Sequence, residues 1–190
     1  MKKIAIFASG SGSNAENIIN YFKNDTENVV KIVFCNKPDA YVLERAKRLS
    51  VPTFVFGREE FSRSDLVLNE LKRLDIDLIV LAGFLWKVPD AIIDAYPDRV
   101  INIHPALLPS YGGKGMYGMK VHEEVIAAGE KESGITIHHV NNHYDEGAII
   151  FQAKCEIVPG DTPESLATKV HALEYEHFPR VIKELLEKGL

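Results

Sequence analysis

The chain has 190 residues, 46% of them hydrophobic and 26% charged, with 22 Lys+Arg against 27 Asp+Glu for a formal net charge of -5. This is ordinary globular composition at a size that suits one larger domain, enough to bury a core without disulfides or a structural metal. The acidic excess speaks against a general nucleic-acid or anionic-membrane binder, and no apolar run approaches the roughly 18 residues of a membrane span. Met1-Lys2-Lys3 leads into too short an apolar run for a signal peptide, so a soluble protein of the cytoplasm is expected.

Through the first half, short β-branched apolar runs alternate with helix-period segments, the pattern of a parallel sheet covered on both faces. Ile4 to Ala8 is the first predicted strand and Asn14 to about Lys23 the first helix. Val29 to Asn36 is apolar almost throughout, as a central strand is. Asp39 stands where it can cap a helix over Ala40 to Leu49. Thr53 to Phe56 reads as a short strand. Ser62 to Leu74 reads as an amphipathic helix with Leu66, Leu71 and Leu74 inward, and Leu78 to Ala82 as a fourth strand. A short helix over Pro89 to Tyr96 leads to a fifth strand at Val100 to Ile103. In such a sheet, ligands are expected at the carboxyl ends of the strands.

Beyond it the pattern changes. Ser110 to Met119 holds four glycines and no aliphatic period, and a loop this long in a compact domain is usually functional. A helix around Lys120 to Ala128 precedes two strand-like runs, Ile135 to Val140 and Ala148 to Val158, on either side of the polar stretch Asn141 to Gly147. Thr162 caps a last amphipathic helix with Leu166, Val170, Leu173, Val181, Leu185 and Leu186 on its stripe, which Pro179 is expected to break or kink. Cys35 and Cys155 lie in apolar runs and read as thiols of a reducing compartment. The expected fold class is α/β, a single domain with a doubly wound, mostly parallel sheet. Its Rossmann-like, phosphate-binding half spans 1–100 and a mixed half spans 101–190.

Ser9-Gly10-Ser11-Gly12-Ser13-Asn14 joins the first strand to the first helix. Backbone N–H groups and the positive end of the helix dipole make such a turn attractive to an anion, and glycine admits close approach. As Gly10-x-Gly12-x-x-Ala15 it also fits a dinucleotide fingerprint, but the end of the second strand carries Asn36-Lys37 where that fingerprint wants an acid. A phosphate monoester is therefore favoured, with a ligand-free tight turn as the alternative. Gly113-Lys114 is followed by Gly115 where a triphosphate loop needs Ser or Thr. A zinc-protease reading of His122-Glu123-Glu124 fails because Ile126 stands where the second histidine belongs, and nothing completes a metal site around His138, His139 and His143, so no metal is expected. For His139 and His143 the reading is polar residues at a strand edge, and His171 and His177 are expected to pack on the final helix.

Asn102-Ile103-His104-Pro105 ends the fifth strand, with alternation placing Asn102 and His104 on one face. Two donors at a ligand-binding edge suit an oxyanion formed when a carbonyl is attacked. Asp145, between the two late strands, can raise the pKa of His104 and help move a proton if its loop folds back over the fifth strand. The alternative for all three is a structural role.

Asn102-Ile-His-Pro-Ala-Leu-Leu-Pro109 together with Asp145-Glu-Gly147 resembles the formyltransferase family that uses 10-formyltetrahydrofolate, and the likeness runs from Ile4 to about Pro179. The resemblance implies a catalytic trio of Asn102, His104 and Asp145, and nearest to this chain is the branch that formylates the amine of 5'-phosphoribosylglycinamide in purine synthesis. It implies that Gly12, Ser13 and Asn14 hold the substrate phosphate, Glu174 the ribose hydroxyls and Gly83 the glycinamide arm. The folate would lie against Leu85, Trp86, Lys87, Val88, Asn141, Asn142, His143 and Tyr144, with Arg63 near the formyl group or folate tail. Leu85-Trp86 departs from the family's usual Met-Arg, and the glycine-rich Tyr111 to Gly118 departs from its commoner Lys-Tyr-Pro-Gly, with Lys114 able to meet folate glutamate or substrate phosphate. The tRNA-directed branch would need a further C-terminal domain of about a hundred residues, and the formyl-folate hydrolase usually carries an N-terminal regulatory one, so length is expected to discriminate. Monomer and homodimer are both compatible. An NAD-dependent oxidoreductase and a folate-binding protein without turnover are the rivals from other classes.

Overall fold

A computed structural model describes residues 1–189 except Ser64 and Tyr144. Its strands are β1 (Lys2–Ala8), β2 (Asn28–Cys35), β3 (Thr53–Val55), β4 (Leu78–Leu81), β5 (Val100–His104), β6 (Glu132–His139) and β7 (Ile149–Glu156). Its helices are α1 (Ser13–Phe22), α2 (Tyr41–Arg48), α3 (Arg58–Ser62), α4 (Leu66–Arg73), α5 (Asp90–Ala95), α6 (Met119–Ala127) and α7 (Pro163–Glu187). Two compact units are delimited, residues 1–101 with 182–190 and residues 102–181. No helix among the described residues is long and apolar enough to cross a membrane.

In the first unit the strand order is β3-β2-β1-β4-β5, and β1 pairs in parallel with both β2 and β4. β2, expected to be central from its continuous apolar character, is interior, paired with β1 on one side and with the edge strand β3 on the other. Side chains from adjacent strands meet directly: Phe7 and Phe34 are register partners whose rings stack at 4.6 Å. Phe56, Phe61, Phe84 and Trp86 extend this into an aromatic cluster. α1 follows from Ala15, Ile18, Ile19 and Phe22, all buried at helical spacing. Arg45 of α2 ties the helices together by pairing with Glu16, and its Nε donates to the Ser11 carbonyl at 2.8 Å.

Three sequence expectations need correction here. Asp39 does not cap α2; Ala40 takes the N-cap position in extended conformation, with no side-chain cap. The helix expected over Ser62 to Leu74 begins only at Leu66, as α4, and a separate short helix, α3, precedes it, its N-cap Gly57 donating N–H to Glu60 Oε2 at 2.5 Å. In α4 the inward stripe is Val67, Leu68 and Leu71, while Leu66 is 44% exposed and Leu74 half-buried.

In the second unit the order is β5-β6-β7, with β6 and β7 antiparallel. Thr162 and Ser165 cap α7 reciprocally, Thr162 N–H to Ser165 Oγ at 2.9 Å and Ser165 N–H to Thr162 Oγ1 at 3.2 Å. Pro179, expected to break or kink this helix, does not break it: the helix continues to Glu187. A helical proline costs about 3 kcal/mol, but Phe178, Val181 and Ile182 around it are buried to 2% exposure or less, and their packing outweighs the lost hydrogen bond.

Candidate functional site

In the first unit β1 delivers the chain into the Gly10 to Asn14 turn. Gly12 has φ 74°, and a Cβ there would meet Val42 Cγ2 at 2.4 Å, so a side chain is excluded both by conformation and by α2. Ser13 and Asn14 occupy the first turn of α1, where helical N–H groups have no intrahelical acceptor. Ser9 is 2% exposed and links the turn to the end of β4: its N–H donates to the Gly83 carbonyl at 3.1 Å, and its Oγ accepts from Leu85 N–H at 3.0 Å. The Gly10 to Asn14 turn and the Gly83 to Leu85 segment are thus brought together. Asn36, where a dinucleotide site would carry its acid, is buried, and neither of its amide atoms is hydrogen-bonded.

Of the other residues expected to meet folate in this unit, Leu85 is exposed and Val88 is buried. Trp86 sits half-buried in the aromatic cluster with Arg58 over its face at 4.8 Å, and Lys87 faces Asp90 at 3.7 Å. Arg63 is exposed at the end of α3 and pairs with Glu59 at 3.7 Å.

The second unit holds the trio. The turn after β5 is fixed by Thr136 of β6, which donates to the Ala106 carbonyl at 2.7 Å and accepts from Leu108 N–H at 2.9 Å. Asn102 and His104 end β5. His104 is 3% exposed, its Nε2 bonded to the Tyr111 carbonyl at 2.7 Å and its Nδ1 3.7 Å from Asp145 Oδ2. Asp145 also accepts from Gly113 N–H at 2.9 Å and lies 3.6 Å from His138 Nε2. The loop therefore does fold back over the end of β5, and Asp145 does so in a left-handed conformation, φ 56°. What seats it is Gly147, where a Cβ would stand 1.6 Å from the His139 carbonyl oxygen. An open cavity of about 590 Å³ borders Asp145, lined also by Leu108, Gly113 and Glu146.

His138 is the member that sequence reasoning missed. Its Nδ1 is 2.8 Å from the His139 carbonyl and its Nε2 3.1 Å from Asn102 Nδ2. Since a carbonyl only accepts, Nδ1 carries a proton, and Nε2 faces both the Asn102 amide and, at 3.6 Å, Asp145 Oδ1. Alternation with Thr136 along β6 was the available signal.

Electrostatics follow from this packing. Burial pushes the His104 pKa below its ordinary value against the opposing pull of Asp145 and the Tyr111 carbonyl, so the ring is neutral at rest near pH 7. Burial works against the Asp145 carboxylate too, but His138, the Gly113 N–H and His104 outweigh it and hold its pKa below the usual range. Glu174, 8% exposed on α7, accepts from His171 Nδ1 at 2.7 Å, and that bond raises the His171 pKa. Asn141, Asn142 and His143 are exposed in the β6–β7 connection, with Asn141 Oδ1 accepting from His143 N–H at 2.9 Å; Tyr144 lies outside the described residues. Among the described residues no group of three or more His, Cys, Asp or Glu is placed to hold a metal ion.

Asn102, His104 and Asp145 thus meet at the end of β5, His104 buried and the other two half-buried. The formyl transferase family model matches residues 2–182, and the chain belongs to that family. It is 37% identical over 191 residues to the phosphoribosylglycinamide formyltransferase of Bacillus subtilis, covering 98% of this chain and 95% of the relative. The enzyme of that name from Haemophilus influenzae is 39% identical over 195 residues, covering all of this chain and 90% of its own length. Among solved structures, glycinamide ribonucleotide transformylase 1 from Geobacillus kaustophilus superposes with a TM-score of 0.89 at 38% identity, covering 98% of this chain and 99% of that one.

Proposed function

We propose that the chain transfers the formyl group of 10-formyltetrahydrofolate to the primary amine of 5'-phosphoribosylglycinamide, in purine biosynthesis. The observation that carries this reading is the convergence of Asn102, His104 and Asp145 in a chain similar over its length to enzymes of that name. The folate supplies a formyl carbon that an amine can attack. The cavity beside Asp145 and the exposed Asn141 to His143 segment fit a large, flat co-substrate.

Asn102, whose amide faces His138 Nε2, offers an N–H to the oxygen that becomes negative on attack. His104, neutral at rest, takes a proton from the incoming amine on Nδ1, and the ring then presents that proton to the same oxygen while Asp145 balances its charge. The proton passes on to the departing folate nitrogen, directly or through a water held by Asp145, so one amine proton ends on tetrahydrofolate. Gly12, Ser13 and Asn14 are assigned the phosphate, Gly83 the glycinamide arm and Glu174 the ribose. Leu85, Trp86, Lys87, Val88, Asn141, Asn142 and His143 are assigned the folate. Arg63 is a weaker assignment, since Glu59 already meets it. Two free cysteines suit a cytoplasmic setting.

The test is incubation with 10-formyltetrahydrofolate, with and without phosphoribosylglycinamide, following deformylation by absorbance. Formyl loss that requires the amine supports transfer; loss independent of it would mean a hydrolase.

A further inference from the structure

Tyr111 has φ 56°, in the left-handed region where a bulky side chain is strained. Its carbonyl accepts from His104 Nε2 at 2.7 Å, and two residues later Gly113 N–H donates to Asp145 Oδ2 at 2.9 Å. One short stretch of backbone thus grips both residues assigned to proton transfer. Because the carbonyl is only an acceptor, neutral His104 keeps its proton on Nε2 and turns the Nδ1 lone pair toward Asp145. The other end of Tyr111 is also fixed: its hydroxyl donates to Glu130 Oε1 at 2.7 Å, just beyond α6.

We propose that Tyr111 is a positioning residue, whose side chain, anchored on Glu130, holds its own carbonyl on His104 and thereby decides which imidazole nitrogen is free to move a proton. The anchor is an exposed, charge-assisted bond, so its loss loosens the strap without removing a group that touches substrate. The groups that set the charge of His104 are Asp145 from the β6–β7 connection, His138 from β6 and Glu174 from α7. His122 of α6 is electrostatically coupled to the same ring. None of these is altered by a change at the Tyr111 hydroxyl.

The kinetic arm of the test rests on the formyl-transfer reading; the spectroscopic arm does not. Tyr111→Phe should lower kcat about threefold to tenfold while each KM stays within about twofold. The imidazole nitrogen NMR shifts of His104 should change from a single Nε2–H tautomer to a mixture with Nδ1–H. The pH limb belonging to His104 should move down, because the carbonyl bond favours the charged ring. Glu130→Ala should reproduce these changes, Glu130→Gln, which can still accept the bond, should largely escape them, and the Tyr111→Phe/Glu130→Ala pair should be no worse than either change alone. An unchanged His104 tautomer in Tyr111→Phe, or losses that add in the double variant, would overturn the proposal. If the wild-type chain transferred no formyl group, the functional reading would fall, and the His104 spectrum would still decide the role of Tyr111.

Discussion

The two units bury different chemistry. Among the described residues the buried histidines and carboxylates, His104, His122, His138 and Glu174, all belong to the second unit. The first unit buries Ser9, Asn28 and Asn36 beside a stacked aromatic cluster, and none of those three titrates. Burying a histidine or carboxylate is expensive unless it is hydrogen-bonded, and His104, His138 and Glu174 each have such a partner. The lesson is a separation of residue types: the first unit packs apolar and aromatic side chains, while the second buries the histidines and a carboxylate.

Substitutions in the two units should accordingly fail in different ways. The largest effect on stability is expected from Phe34→Ala, which opens a cavity under Phe7 and should cost about 3–5 kcal/mol in chemical denaturation while leaving kcat per folded molecule unchanged. Asn102→Ala, and likewise Asp145→Asn, should reverse that pattern. Turnover should fall about 10²–10³-fold with little change in unfolding midpoint, and near-normal turnover in both would remove the trio from the mechanism. Gly12→Ala should do some of each. Its Cβ meets Val42 and its φ is unfavourable, so a loss of about 1–3 kcal/mol should accompany a raised KM for the phosphorylated substrate alone.

The smallest effects are in the pH dependence of stability, and their signs differ. His104 and His122 have folded-state pKa values depressed below 6.5 by burial. As pH falls through 6.5 the unfolded chain takes up protons that the folded chain refuses, so they lower stability on the acid side until their folded pKa values are passed. His171, raised by Glu174, contributes stability that is complete below 6.5 and lost as pH rises through its folded pKa. Denaturation of the His171→Gln variant across that range should show the second loss abolished and the first intact.

Much of this was legible in the chain because it depends on local rules. Alternation gave the strands and the shared face of Asn102 and His104, and the glycine turn announced itself between β1 and α1. What stayed hidden depends on partners distant in sequence. The separate α3, which ends at Ser62 before α4 begins at Leu66, was hidden in an apolar period that read as one helix. Pro179 persists in α7 because burial around it outweighs a rule about isolated helices. His138 gains its role only by meeting Asn102 across strands, and nothing in Tyr111 or Glu130 alone suggests that they meet. The approach of Asp145 to His104 was conditional in the sequence and depends on a fold that brings back a residue from beyond β6.

The seat of Gly147 against the His139 carbonyl gives the site a point of failure that carries no chemistry. Any side chain there would lift the β6–β7 connection from its strand and take Asp145 with it. A random screen for inactive variants should therefore return Gly147 alongside the trio, and adding the donor or acceptor at high concentration would not rescue it. The methyl group of an alanine at that position could disarm the site as thoroughly as removal of the carboxylate.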